Sequence, residues 1–164
     1  MEWETYYQDN WLIRDKANEF YHDMSDENFA GLMAAIAQRM LKGGSVPTPL
    51  LDINQVLASQ GKTEFEELDD YYKLKGEMNL EPALIRDNKG RWWMPLFTDF
   101  FEIDKGPKSA IHALHDDTEI YDLLEITMNE EDISGIVINP YDNGVTLDKK
   151  AVQLLLDDYA KSRN

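Results

Sequence analysis

The sequence predicts one α+β domain: a mixed, mainly antiparallel sheet of about five strands packed with helices, with extra helices at the N-terminus. Three observations lead there. Apolar side chains recur at helical intervals through the first forty residues. From Glu81 onward, short apolar runs bounded by turn residues alternate with helical stretches. The 164 residues suffice for one real core and are too few for two comfortable ones. Hydrophobic residues at 43% and aromatics at 11% exclude a disordered composition. Residues 1–25 are expected to form an aromatic helix packing on the domain, and residues 26–164 the domain itself.

In the opening segment Trp3, Tyr7, Trp11, Arg14, Ala17 and Tyr21 share a helical stripe, with Phe20 beside it. Ser25 then has the chemistry of an N-cap, with Asp26 and Glu27 where the helix macrodipole favours acids. Phe29, Leu32, Met33, Ile36 and Met40 give the next helix its apolar face, and Gly43-Gly44 stops it. "SVPTPLLDI" contains two prolines, so it is expected at an edge or as an extended connection. Between 54 and 80, Thr63 and Glu66 have capping-box spacing and Phe65, Leu68 and Tyr72 follow at helical intervals, predicting a short helix between loops.

"EPALIRDNKGRWWMPLFTD" reads as a hairpin, with Asn88 and Gly90 suited to positive φ in its turn. In its second strand Trp92, Met94 and Leu96 face one way, and Trp93, Pro95 and Phe97 the other. Both sets are apolar, so the strand is expected to be covered on both sides, with Pro95 at a bulge or beside an unpaired edge. "AIHAL" is a candidate short strand, followed by a loop. Thr118 is the expected cap of a helix from about Glu119 to Asn129, burying Ile120, Leu123, Leu124 and Thr127 or Met128. Glu130, Glu131 and Asp132 read as a solvated turn.

"SGIVINP" is then a buried strand, because Ile136, Val137 and Ile138 show no polar alternation. Asn139 precedes proline and is expected to be extended. Asp142-Asn143-Gly144 supplies a turn, Val145 to Leu147 a return strand, and Asp148 the cap of a last helix carrying Val152, Leu155, Leu156 and Tyr159. Lys149 and Lys150 at its start and Asp157 and Asp158 further on oppose the macrodipole, so packing has to hold it.

Two of these stretches, "MPLFTD" (Met94 to Asp99) and "SGIVINPYDNGVTLDKKAVQLLL" (Ser134 to Leu156), resemble the signatures of the SseB family, the enhanced-serine-sensitivity proteins, in their N-terminal domain. The resemblance extends over roughly residues 26 to 158. It implies a small α/β-containing domain without an assigned chemistry, in a family whose name records a phenotype rather than a reaction.

Charge narrows the function classes. Acidic residues number 32 against 16 basic ones, for a formal net charge of -16. Such a field repels nucleic-acid backbones and anionic membrane surfaces. It serves solubility, or it steers a basic protein partner. There is no cysteine, which removes disulfides, thiolate nucleophiles and Cys-ligated metals and fits a reducing compartment. "MEWETYYQDNW" has neither a basic n-region nor an apolar h-region, so no secretory signal is expected in it, and the default location is cytoplasmic.

Chemistry-bearing motifs are sparse. No phosphate-binding glycine loop, dinucleotide fingerprint or G-x-S-x-G is present. His112 and His115 beside Asp116 and Asp117 would make a metal pair on a helix, but on a strand they point apart. No metal and no cofactor is therefore expected. Asp142 and Asn143 fall far short of a Ca²⁺ loop.

The preferred reading is a non-enzymatic cytoplasmic interaction domain, immunity-type or secretion-accessory, that takes a partner basic at the contact. Trp92, Trp93 and Phe97 read first as core. The alternative is an exposed apolar edge that a partner covers, with Trp93, Phe97, Trp3 and Trp11 as the candidate partner-binding residues. The rival is an enzyme or small-ligand binder built on a polar cleft of Thr98, His112, Asn139 and Asp142. A cleft where these converge with perturbed pKa values would favour the rival, and a convex surface there the interaction domain.

Overall fold

A computed structural model describes residues 3–52, 80–106 and 115–163. The described elements run α1 (Trp3–Tyr6), a 3₁₀ turn (Gln8–Asn10), α2 (Trp11–His22), α3 (Asp26–Leu41), β1 (Ser45–Asp52), β2 (Leu80–Pro82), β3 (Ile85–Arg86), β4 (Trp92–Leu96), α4 (Phe100–Asp104), β5 (His115–Glu119), α5 (Ile120–Asn129), β6 (Ile133–Ile138), β7 (Val145–Asp148) and α6 (Lys149–Arg163). The class is α+β, as expected. The strands form two sheets, one ordered β2-β1-β5 and one ordered β3-β4-β6-β7. Every pairing is antiparallel except β4 with β6. The helix expected within 54–80 and the "AIHAL" strand lie outside the described residues.

The N-terminal stretch is interrupted rather than one helix. The buried positions are Tyr7, Asn10, Ile13 and Ala17, while Tyr21 is exposed and Trp11 half-buried. The buried stripe therefore keeps Tyr7 and Ala17 and replaces Trp11 and Arg14 by the residue before each, Asn10 and Ile13. Ile13 and Ala17 belong to the same core as Leu32, Ile36 and Met40 of α3. Burial of each of those larger side chains stabilises by about 1.5–3 kcal/mol.

Ser25 caps α3 as expected, its Oγ accepting from the Asn28 N–H at 3.1 Å. At the other end the Gly44 N–H donates to Arg39 O (2.7 Å) and the Gly43 N–H to Met40 O (3.0 Å). This is the paired closure by which a helix satisfies its last carbonyls.

β1 corrects the expectation from its prolines, because it is central in its sheet. Residues 45–49 pair with β5 and residues 50–52 with β2, so each half has one ladder partner. Pro49 turns its carbonyl to the β2 side, accepting from the Ala83 N–H at 2.9 Å. Pro47, two residues away, shares that parity. Both ring nitrogens thus face away from β5, so the β1–β5 ladder loses no donor to either proline.

The hairpin β3–β4 forms as expected, and Gly90 takes positive φ (82°) while Asn88 does not. Asp87 organises the turn: its carboxylate accepts from the N–H groups of Lys89 and Arg91, from Arg91 Nε, and from the Trp93 indole. The indole N–H first, then the Arg91 and Lys89 donors, hold the Asp87 carboxyl well below its usual range. β4 is covered on both faces, and Pro95 lies past the end of the β3 ladder, which reaches only Trp92 and Trp93.

Residues 115–119 were expected as loop and are β5. Thr118 pairs with Val46 instead of capping a helix. The start of α5 is held instead by the Ile120 N–H donating to Gly44 O at 2.9 Å. Its inner face, Ile120, Leu123, Leu124 and Thr127, is the expected one. Asp148 caps α6 through the Ala151 N–H at 3.0 Å. The helix runs on to Arg163, so its last turn carries Lys161 and Arg163, which suit the macrodipole after all. Among the described residues no helix is long and apolar enough to cross a membrane.

Candidate functional site

The buried strand β6 ends at Asn139, and there the structure departs from the sequence reading. Asn139 is left-handed (φ 49°) rather than extended. Asparagine tolerates this region better than other non-glycine residues. The conformation is held by side-chain bonds. Asn139 Oδ1 accepts from the Thr98 N–H (3.0 Å), and Asn139 Nδ2 donates to Thr98 Oγ1 (3.1 Å). The Asn139 N–H donates to Leu96 O, and its carbonyl accepts from the Asp142 N–H, each at 3.0 Å. The end of β4 and the end of β6 are thereby tied together across 41 residues.

The network continues to the N-terminus. Thr98 O accepts from Asn10 Nδ2 (3.1 Å), which also donates to Ser45 O (2.8 Å), and Asn10 Oδ1 accepts from Arg39 Nε (3.0 Å). One buried amide therefore joins α3, β1 and the β4 terminus to the segment before α2. The sequence reading missed Asn10 and Arg39. The available signal was a polar residue on the apolar face shared by Tyr7, Ile13 and Ala17.

Asp99 begins α4, its Oδ1 accepting from the Glu102 N–H at 3.1 Å. Lys105 bridges Glu102 (2.8 Å) and Asp142 (3.3 Å). The Glu102 carboxylate, helped by Asp142, holds the Lys105 ammonium above the ordinary lysine value. Asp99 Oδ2 and Glu102 Oε1 are buried without a partner among the described residues. Tyr141 lies against Phe97 with ring centroids 5.5 Å apart. Burial raises its hydroxyl pKa.

The expected polar cleft is thus closed where it is described. Thr98 (0% exposed) and Asn139 (5%) turn their side chains to each other and bond there. Asp142 is exposed and paired with Lys105, and His112 lies outside the described residues. Three surface grooves lined by described residues lie around α6. His115 is exposed, its ring edge-on to Phe100 at 5.3 Å. Among the described residues no three His, Asp or Glu side chains gather as a metal site.

Trp93 and Phe97 lie in the core, the first of the two readings, and the alternative of an exposed edge at these two residues is corrected. Trp93 is 7% exposed and Phe97 1%, so neither offers a surface. Trp93 is tied to Asp87 by its indole N–H and covered by the Arg91 guanidinium at 5.4 Å, while Phe97 packs under Tyr141. Burial on both faces of β4 is the reason. Trp11 is half-buried under Arg14, 5.0 Å from its ring. Trp3 opens α1, and its side chain lies outside the described part.

Fold and junction together define an α+β domain whose most connected polar residues are committed to holding strand ends in place. Compared with protein-family models, curated proteins and solved structures, the chain matches none.

Proposed function

We propose that this chain is a non-enzymatic cytoplasmic interaction domain, resembling the SseB N-terminal domain, that engages a protein partner basic at the contact. The observation that carries the reading is the closure of the Thr98–Asn139 pair. The residues best placed for polar chemistry bond to one another and are buried, which leaves surface recognition as the better use of the fold. The two stretches that carry the family resemblance are the ones this pair joins, which supports reading them as a structural signature. The net charge of -16 supports a cationic partner over nucleic acid or an anionic membrane, and an immunity-type or secretion-accessory role fits that charge. The absence of cysteine supports a reducing compartment.

The test is capture of partners from native cytoplasm, followed by association rates for the captured protein across a salt series. A basic contact surface and a rate that falls as ionic strength rises are expected. A salt-independent rate, or an acidic contact surface, would show that the charge serves solubility and would overturn the reading.

A further inference from the structure

α5 and α6 pack side by side and leave a groove of ≈ 520 Å³ along their outer faces. Tyr121 from α5 and Tyr159 from α6 meet in it, ring centroids 4.6 Å apart and planes 30° off parallel. Glu125 lines it from the α5 side and Asp157 from the α6 side. Gln153 Nε2 donates to Asp157 Oδ1 at 2.8 Å, which fixes that carboxylate on its helix. Arg163, in the last turn of α6, places its guanidinium carbon 5.3 Å from the centre of the Tyr159 ring. The chain's own arginine therefore already sits over the Tyr159 ring of the pair.

From this geometry we infer that the α5–α6 groove receives an arginine side chain presented by a basic partner protein, with Arg163 as its intramolecular competitor. The inference rests on the basic-partner reading and gives it a location. A planar guanidinium stacks on a tyrosine face and offers donors along its edges, matching two tyrosines between carboxylates on opposite walls. A lysine ammonium is a point charge and gains less from the stacked face. An anion would meet Glu125 and Asp157. The partner's charge is argued from the same chain, whose net charge of -16 raises the local concentration of cationic surfaces before contact.

The experiment titrates the full chain with a hexa-arginine peptide and, at equal charge, a hexa-lysine peptide, by calorimetry and by amide chemical shifts. The arginine peptide is expected to bind several-fold tighter, with shifts centred on Tyr121, Glu125 and Tyr159. Glu125→Gln with Asp157→Asn should weaken it about tenfold, the worth of two partly screened surface charges. These exposed isosteric changes should leave the melting temperature in place. Arg163→Ala should strengthen binding of the arginine peptide more than that of the lysine peptide, because loss of one positive charge alone would favour both equally. Equal affinity for the two peptides, no response to the double variant, or weaker binding by Arg163→Ala would each overturn the groove. A captured partner that keeps its salt dependence but ignores the double variant would overturn the groove alone and leave the interaction-domain reading standing.

Discussion

Replacing Asn139 with alanine should cost this fold about 2–4 kcal/mol, and the two parts of that cost can be measured separately. The first part is the Thr98 amide. It is fully buried and donates to Asn139 Oδ1. Without the acceptor, a buried N–H stays unsatisfied at about 1–3 kcal/mol. The second part is backbone conformation: at φ 49° an alanine lacks the local compensation that asparagine has, at about 1 kcal/mol. Asn139→Gly removes the second part and keeps the first, so it should fall between the wild type and Asn139→Ala. Thr98→Val keeps the Thr98 N–H bond but leaves Asn139 Nδ2 without that acceptor, so it should cost about 1–3 kcal/mol and leave the Thr98 amide protected.

Urea unfolding with a common m-value gives the differences, and in a domain of this length 1 kcal/mol corresponds to about 2–4 °C in melting temperature. Amide exchange at Thr98 reads the orphaned donor directly. An Asn139→Ala variant within about 0.5 kcal/mol of the wild type, the spread of an ordinary surface change, would refute the assignment of the junction as a structural lock. So would a Thr98 amide that exchanges no faster.

Three further outcomes follow from the same coordinates. Gly135 lies opposite Asp148 on β7, and a Cβ there would fall inside the van der Waals envelope of Leu147 O, a backbone atom that cannot step aside. Gly135→Ala should therefore lose about 1–3 kcal/mol in urea unfolding, and an unchanged midpoint would mean that β6 and β7 are not in this register. Gly144 has φ 65°, so Gly144→Val should lower stability by on the order of 1 kcal/mol or more, read as a melting-temperature drop. Asp87 has a folded pKa depressed below its ordinary 3.8, so its contribution is complete above that value and is lost as pH falls through the folded pKa. Asp87→Asn should accordingly flatten the acid limb of the stability profile below about pH 4, and an acid limb identical to the wild type would remove the Asp87–Trp93 bond from the account.

Much of this fold is local and therefore legible in the sequence. The apolar spacing of Leu32, Ile36 and Met40 dictates α3, and Ser25 and Gly43 mark its ends because caps need only neighbours a few residues away. The unbroken Ile136-Val137-Ile138 announces a strand covered on both faces, and Gly144 announces the turn after it. What the spacing could not state is which distant group each polar atom would meet. Pro47 and Pro49 argue against a central strand until β2 and β5 divide β1 between them and the ring nitrogens turn away from the β5 ladder. "HDDTE" has no strand-like composition, and it is a strand because β1 pairs with it. Trp93 and Phe97 read as core first and surface second, and the Arg91 guanidinium over Trp93 and the Tyr141 ring against Phe97 decided for core. At Asn139 the preference imposed by the following proline pointed to extended backbone, and bonds to Thr98, 41 residues away, overrode it. A residue's own neighbours set its helix or strand preference. The partner that satisfies a buried donor is chosen only when the chain has folded, and at Asn10, Thr98 and Asn139 that choice determined the geometry.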